Sequence, residues 1–590
     1  MSSHDGSSVT LAEDAPKPPA PTRKDSLKND LLNDTKGLST APVQPLSVTD
    51  PVEGKSDVAV EEAIDTERQN TLPPKGYVAV PLSKFGFVLV FIALALAIFL
   101  AALDQTIVGV ALPRIGEDFG DFAQVPWIGT AYLLTATPIA PLYGKMADIF
   151  GRKACFMFAI AVFEIGSAIC GAAPNMVALI IGRAIAGIGG GGLFSLVLII
   201  ISDIVSFEDR GKFQGIIGAV FGLASVAGPL LGGAFTDSHL TWRWCFYINL
   251  PIGIFTIVVV FFALRFPQPT GSISQKLARV DYLGTIVLIA AVIALLLPLQ
   301  LGGSDWAWNS PQVVVLFIVA ILLLLLFAWI EMKVAVEPVI PPALFENRSV
   351  PLICAIAFCL GAGFFSVVYY ITFYFQIVYG DSPMKAGLES LPLMFGVVIF
   401  SIICGQIISR TGYYTPLFFT GGALLTTGVA LISTLSESSN RGMQIGYLLI
   451  AGVGVGNLIQ TRVIGAQASV SPKNIATVTS TVNFFQTFGG VIGIAIVGTI
   501  FNNAAADNLR EALAQLPAGS PPLPFDPATA PSAVTSLPEP VRSLVIHAFT
   551  QALSLAYKCA LPFTALILVL AVGVKQYRRQ GGPPAAVVAE

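Results

Sequence analysis

Long apolar runs separated by short polar segments are the main pattern of this chain from Phe85 onward. A helix crosses a bilayer with about 20 consecutive apolar residues, and runs of that kind recur through the remaining sequence. They indicate fourteen candidate spans, at 87–111, 124–143, 154–171, 176–202, 213–236, 246–264, 282–301, 312–332, 352–374, 390–409, 415–434, 443–466, 477–500 and 555–574. The pattern therefore predicts an all-α polytopic membrane protein.

The composition supports that class. Of 590 residues, 54% are apolar and 12% are charged, whereas soluble domains carry about 25% charged residues. Residues 1–84 hold 13 of the 36 acidic side chains and many Pro and Ser, which indicates a disordered tail. A cytosolic enzyme, a nucleic-acid binder and a secreted disulfide scaffold are excluded. The seven cysteines form no CxxC pair, so we expect buried thiols and no metal.

The distribution of Lys and Arg predicts the orientation. If the N-terminus is cytoplasmic, eighteen basic residues fall on the cytoplasmic side and seven on the other. Positive charge concentrates on the cytoplasmic side of membrane proteins. Both termini are therefore predicted to be cytoplasmic.

The sequence contains an internal repeat. Residues 144–153, GKMADIFGRK, align with residues 405–414, GQIISRTGYY, at an offset of 261, and Gly228 falls on Gly489 at the same offset. Repeated halves are common in transporters. The predicted organisation is a cytoplasmic tail at 1–84, a six-helix half at 85–265, two inserted helices at 266–349, a second half at 350–575 with an outer loop at 501–554, and a cytoplasmic tail at 576–590.

Three ionisable residues lie well inside predicted spans: Asp104, Glu164 and Arg183. Charges in the bilayer are costly and need a partner or a function. We expect Asp104 and Arg183 to pair in the outer half, where protonation of Asp104 would release Arg183, or to form a static clamp. Glu164 lies near mid-membrane without a basic neighbour in sequence, so it is predicted to favour its neutral form or to hydrogen-bond a neighbouring helix.

The predicted connection between spans 2 and 3 combines Gly144, Asp148, Gly151, Arg152 and Lys153 within ten residues. Asp148 is expected to meet the positive end of a neighbouring helix, and Arg152 a carboxylate or a helix C-terminus. These contacts would form a breakable cytoplasmic latch. The alternative is a solvated turn whose positive charge only fixes the orientation.

Small residues cluster in spans 4 and 5. GIGGGG in span 4 matches GxGxxG, but no strand precedes it, so it does not predict a nucleotide site. In span 5, Gly228, Pro229, Gly232 and Gly233 allow close helix approach and a bend. This surface is either simple packing or a sliding interface.

Five motifs resemble one known family. GKMADIFGRK resembles the signature between helices 2 and 3 of the major facilitator superfamily, and SVAGPLLGG at 225–233 resembles its antiporter motif. LDQTIVGVALP at 103–113, WRWCFYINLPIG at 242–253 and FQIVYGDSPMKAG at 375–387 are similar to the fourteen-helix drug:proton antiporters, above all the fungal toxin and multidrug exporters.

This resemblance implies a major facilitator fold of two six-helix halves with two inserted helices. It also implies that Asp148 and Arg152 gate, that Arg183 couples protons together with Asp104, and that Gly228 and Pro229 shape the antiporter helix. The predicted function is proton-coupled efflux of amphipathic small organic molecules, with no catalysis, cofactor, nucleotide or nucleic acid. The plasma membrane is the expected location, with the vacuolar membrane as the alternative.

The sequence departs from the family pattern at several positions. Ala186 stands where the family usually has Gln, and Arg462 stands where Pro is common. The second-half copy of the latch has Ser409, Tyr413 and Tyr414 in place of the acid and both bases, so no gating is expected there.

Four aromatic residues of span 9 are predicted to contact an apolar substrate in a cavity between the halves: Phe365, Tyr369, Tyr370 and Tyr374. Other functions compatible with the pattern are a vacuolar importer of basic amino acids, a siderophore exporter and a membrane sensor that does not transport.

Overall fold

The computed structural model describes residues 82–577, apart from 122–123, 237, 267–268, 303–305, 515–533, 535–536 and 540. Most of both predicted tails and the middle of the predicted outer loop lie outside the described residues. Within the described ranges the chain forms helices and no strand. The predicted all-α class is confirmed.

The first part of the chain forms six long helices in sequence order. They are α1 Lys84–Phe119, α2 Pro126–Phe150, α3 Arg152–Ala172, α4 Met176–Ile204, α5 Arg210–Thr236 and α6 Asn249–Ala263, the last preceded by the single turn Trp244–Tyr247.

Eight further long helices follow. They are α7 Tyr282–Leu301, α8 Pro311–Lys333, α9 Ser349–Tyr379, α10 Leu391–Thr411, α11 Thr415–Ile432, α12 Arg441–Ala468, α13 Ile475–Ala514 and α14 Val541–Val572. Among the described residues, thirteen helices are long and apolar enough to cross a membrane. The helix α2 is less apolar than these but has 25 residues and packs among them. Each of the fourteen predicted spans thus corresponds to one long helix.

The helix ends follow from local chemistry. Asn175 and Asn440 accept hydrogen bonds from the backbone N–H groups of Ala178 and Met443, which caps the N-termini of α4 and α12. At the other end of the chain, α13 runs on to Ala514 and α14 begins at Val541. Both ends of the predicted outer loop are therefore helical.

The helix contacts repeat along the chain. In the first half α1 packs on α5, α2 on α4 and α3 on α4, and in the second half α9 packs on α13, α10 on α12 and α11 on α12. The aligned glycines occupy equivalent places, because Gly228 of α5 abuts α1 and Gly489 of α13 abuts α9. The repeat seen in the sequence thus corresponds to a repeated arrangement of helices.

The inserted helices α7 and α8 pack on each other and, through α7, against α2 and α13. Their buried side chains, including Leu288, Val292 and Phe327, share a core with Phe484 and Val491 of α13. Most of α8 is exposed, and its outer face is apolar. Such a surface is suited to lipid.

Candidate functional site

A buried ion pair joins α1 to α4. Arg183 Nη1 donates to Asp104 Oδ2 at 2.6 Å, and Arg183 Nε donates to the carbonyl of Ile128 at 3.1 Å. The Asp104 side chain is fully buried, and that of Arg183 is 3% exposed. The structure therefore brings together the two residues that the sequence predicted to pair. Short charge-assisted hydrogen bonds of this kind offset much of the cost of burying two charges.

Asn249 at the start of α6 extends this pair toward α3. Its Nδ2 lies 3.4 Å from Asp104 Oδ1 and 3.2 Å from Ser167 Oγ, and all three side chains are buried. Asn249 was not among the predicted site residues, because its side chain is polar but not ionisable. Its signal was a polar amide inside the apolar run 246–264.

Glu164 lies one helical turn before Ser167 on α3. Neither of its carboxyl oxygens has a hydrogen-bond partner among the described residues. The carboxyl group faces α6 so closely that a Cβ at Gly253 would overlap it. An ionised carboxylate is costly in such a place. Glu164 thus lies against α6, the helix that also carries Asn249, and does not line the cavity between the two halves.

Tyr132 of α2 connects the ion pair to that cavity. The guanidinium carbon of Arg183 lies 4.5 Å from the ring centre of Tyr132, within cation–π range. The same tyrosine lines the cavity, as does Gln105, the residue after Asp104. The ion pair is therefore one side-chain contact away from the cavity wall.

The cavity has a volume of about 230 Å³ and lies between the halves. Helices α1, α2, α4 and α5 supply one wall, and α9, α12 and α13 supply the other. Its aromatic lining consists of Tyr132, Phe194, Phe221 and Phe365. Its polar lining consists of Gln105, Ser195, Gln460, Arg462, Asn483, Gln486 and Thr487. An apolar wall with a few polar groups is typical of a small-molecule site.

Only Phe365 of the four predicted aromatics lines this cavity. Tyr370 is buried against Phe501, and Tyr374 donates to the carbonyl of Ser436. Tyr369 is half-exposed. These three tyrosines lie further along α9 and do not line this cavity, and their contact with a substrate stays a prediction.

The small residues of α5 face two different neighbours. A Cβ at Gly228 would overlap Thr106 Oγ1, and one at Gly232 would lie 2.5 Å from the carbonyl oxygen of Ile107, so this face fits closely against α1 just beyond Asp104. Gly233 faces Met384, and Pro229 faces Gly387, both in the short helix Pro383–Glu389 of the second half. The helix α5 thus contacts α1 and the second half at once.

The predicted latch forms a network of charges at the helix ends predicted to be cytoplasmic. Arg152 binds Asp148 at 2.9 Å and Asp203 at 3.0 Å, and Lys153 Nζ donates to the carbonyl of Phe261 at 2.6 Å. Gly151 turns the chain between α2 and α3 with φ 96° and ψ 145°, a conformation that side chains disfavour. Asp203 was not among the predicted site residues, although its signal was an acidic residue directly after the long apolar run of span 4.

The latch contacts the second half directly. Thr477 Oγ1 of α13 donates to Asp148 Oδ2 at 3.4 Å, and Ser480 Oγ donates to the carbonyl of Pro141 at 3.3 Å. Gly144 lies so close to Ser480 that a Cβ would overlap its hydroxyl oxygen. These contacts hold the two halves together on the side predicted to be cytoplasmic.

A second set of charges ties the latch to the inserted helices. Glu337, in the segment after α8, pairs with Lys145 at 3.0 Å and with Arg279 at 2.6 Å. Burial alone would raise the pKa of Glu337, but the hydrogen bonds from Arg279 and Lys145 outweigh it and hold that pKa below its usual value. Glu337 is therefore ionised at physiological pH.

The corresponding segment of the second half has a different role. Tyr414 Oη donates to the carbonyl of Lys575, and the Tyr414 N–H donates to Gln576 Oε1. These bonds anchor the segment that follows α14. They do not cross to the first half.

Comparisons with known proteins agree with this architecture. A sequence model described as the Major Facilitator Superfamily matches residues 94–494. The chain is 40% identical to the MFS-type efflux pump MFS1 of Arthroderma benhamiae over 70% of this chain and 77% of that protein. It is 36% identical to the efflux pump aunC of Aspergillus niger over 91% of this chain and 94% of that protein.

Among solved structures, the fold is similar to that of the human organic anion transporter MFSD10. The TM-score is 0.55 at 16% identity, with 82% of this chain and 99% of that chain covered. At this identity the likeness concerns the fold alone.

Proposed function

The chain belongs to the major facilitator superfamily and is a multi-pass membrane transporter, and we propose that it is a proton-coupled antiporter that exports amphipathic small organic molecules. The observation that carries the proposal is the buried Asp104–Arg183 pair, which shares Tyr132 with the cavity. Relatives named as efflux pumps support export as the direction.

Proton binding at Asp104 acts on the pair. When Asp104 is ionised, it satisfies Arg183 across α1 and α4. When Asp104 takes up a proton, Arg183 keeps its bond to the Ile128 carbonyl and its contact with Tyr132 but loses its counter-ion. An unpaired buried cation is costly, so α1 and α4 then favour another arrangement. Protonation thereby shifts the balance between two conformations.

Substrate binding acts on the same balance from the cavity. Because the cavity walls come from both halves, relative movement of the halves changes the cavity's shape and access. The close contact of α5 with α1 at Gly228 and Gly232 passes a movement of α1 to the short helix beside Met384. The proposed cycle is alternating access. Proton binding and substrate binding shift the same conformational equilibrium in opposite directions.

The latch sets which side is open. Contacts of Asp148 with Thr477 and of Gly144 with Ser480 join the two halves on the side predicted to be cytoplasmic. In the proposed cycle these contacts break when the cavity opens to the cytoplasm. Arg152 stays with Asp203 of its own half and retains a partner for its charge.

We place the protein in the plasma membrane with both termini in the cytoplasm, on the charge distribution of the sequence. The proton gradient is the proposed source of energy, without a cofactor or nucleotide. Import of basic amino acids is the weaker alternative. The described lining of the cavity includes Arg462 and contains no acidic side chain to hold a cationic substrate.

The test is efflux from sealed vesicles that contain the purified protein. The vesicles are loaded with a chemically varied set of fluorescent amphipathic compounds. A pH gradient is then imposed across the membrane, in one direction or the other. The proposal predicts gradient-dependent efflux of a subset, abolished when an ionophore collapses the gradient. Efflux that persists unchanged without a gradient would contradict proton coupling.

A further inference from the structure

Arg462 is a buried cation in the wall of the central cavity. Arg462 is 4% exposed, and its Nη1 donates a hydrogen bond to Asn483 Oδ1 at 3.0 Å. Its Nε has no hydrogen-bond partner among the described residues, and no described carboxylate pairs with it. It thus differs from Arg183, which has Asp104.

A buried positive charge without a counter-ion is unfavourable. An arginine inside the membrane without a counter-ion is destabilising by several kcal/mol, and such residues face water or a binding site. The described lining holds no Asp or Glu that could move to Arg462 as its partner. The counter-ion is therefore expected to come from outside the chain.

The groups around Arg462 complete an anion site. Asn483 Oδ1 accepts from the guanidinium on one side, and the Arg462 Nε–H remains as a donor without a partner among the described residues. Aromatic rings of Phe194, Phe221 and Phe365 line the same cavity. One positive charge in an otherwise neutral, aromatic cavity suits a molecule with one negative group on a flat apolar body.

The position of Arg462 also suits a transported ligand. Asn483 Nδ2 donates to Ser195 Oγ of α4 at 3.4 Å, so the arginine lies where α12 and α13 meet the first half. A ligand bound to Arg462 would contact both halves. Its arrival and departure would therefore affect their relative movement.

We propose that the cavity selects organic monoanions, in particular aromatic carboxylates, and that Arg462 is the residue that binds the carboxylate. Arg462 supplies two or more N–H donors to the carboxylate oxygens, and Asn483 orients the guanidinium. A cavity of about 230 Å³ accepts a body of one or two fused rings. This inference rests on the proposed function, because it names the substrate class of the same transporter.

The test compares an acid with its uncharged counterpart. Equilibrium dialysis of the full-length protein in detergent micelles measures binding of 2-naphthoate and of its methyl ester. We expect the wild-type protein to bind the acid at least about tenfold more tightly, since a charged hydrogen bond contributes about 1.5–3 kcal/mol. Arg462→Gln should lose this preference and still bind the ester, while Arg462→Lys should keep part of it.

The control is Arg410→Gln, the same substitution at an exposed arginine of the second half, which should keep the full preference. Equal binding of acid and ester by the wild-type protein would overturn the proposal. Equal loss of both ligands in Arg462→Gln would also overturn it, since the arginine would then only hold the halves together. Gradient-driven efflux of neutral compounds tests the proposed proton-coupled export separately. Anion binding at Arg462 and proton-coupled export can therefore fail independently.

Discussion

The guanidinium of Arg183 stacks on the ring of Tyr132, with 4.5 Å between the guanidinium carbon and the ring centre. One side of this contact belongs to a buried ion pair with Asp104, and the other side is the wall of the central cavity. The proposed proton site and the proposed substrate site are thus one side chain apart.

Replacing the ring of Tyr132 should weaken coupling. Tyr132→Leu removes the cation–π contact, and we expect gradient-driven transport to fall about tenfold, because a desolvated contact contributes up to about 2 kcal/mol. Tyr132→Phe keeps the ring and should retain most activity, since the ring is what contacts the Arg183 guanidinium. Equal loss in both variants would show that the ring contact is not what matters.

A side chain at Gly144 should open the inner side. In Gly144→Ala the new Cβ would overlap Ser480 Oγ and lie 2.8 Å from the Ala476 carbonyl oxygen, and overpacking of this kind costs about 1–3 kcal/mol. We expect slower transport and faster labelling of a cysteine placed at Ser195 from the cytoplasmic side. The double variant Gly144→Ala/Ser480→Gly should recover part of the activity. No change in labelling would argue against the latch.

Glu164→Gln should impair exchange with protons for cationic and neutral substrates alike. The carboxyl group faces Gly253 of α6 and not the cavity, so a direct contact with substrate is not expected. Transport of both substrate types under an imposed pH gradient measures this. A loss confined to cationic substrates would show that the carboxyl group contacts the substrate.

The ion pairs of Glu337 with Lys145 and Arg279 should add the same amount to the free energy of unfolding throughout the physiological pH range. The pKa of Glu337 is lowered, so its contribution is present above the ordinary glutamate pKa and is lost only as the pH falls through the lowered value. Glu337→Gln should reduce stability by about 1 kcal/mol between pH 5 and 8.

Thermal unfolding of the purified variant at several pH values measures this effect, with the exposed Glu511→Gln as control. A difference between wild type and Glu337→Gln that grew or shrank between pH 5 and 8 would contradict the assignment. A functional role of these ion pairs would appear as slower transport in the same variant, because Lys145 belongs to the latch segment.

The helices could be predicted from the sequence because membrane spans have a strong local signal. The run at 124–143 is long enough to predict a span, although α2, with prolines at 138 and 141, is not among the thirteen described helices that are long and apolar enough to cross a membrane. The ends of the outer loop were less predictable. Residues 501–514 and 541–554 are helical, since they pack on each other beyond the predicted spans.

The charged parts of the site were predictable because each charge is rare in an apolar run, as with Asp104 and Arg183. Neutral polar partners such as Asn249 carried a weaker signal. The cavity lining was the least predictable. Tyr370 and Phe365 are five residues apart on one helix, and only the packing of α13 on α9 decides which of them meets the cavity.

The most direct test of the account is substrate movement in vesicles that contain Asp104→Asn, measured with and without a pH gradient. Substrate exchange at equal pH reports the cavity and the conformational change, and acceleration by the gradient reports proton coupling. The matched control is Glu117→Gln, an exposed acid of the same helix. Expression level and thermal stability show whether each variant is folded.

If proton coupling acts through Asp104, the wild-type protein and Glu117→Gln respond to the gradient, whereas Asp104→Asn exchanges substrate at equal pH and shows no acceleration by the gradient. A folded Asp104→Asn variant with an undiminished response to the gradient would contradict the account.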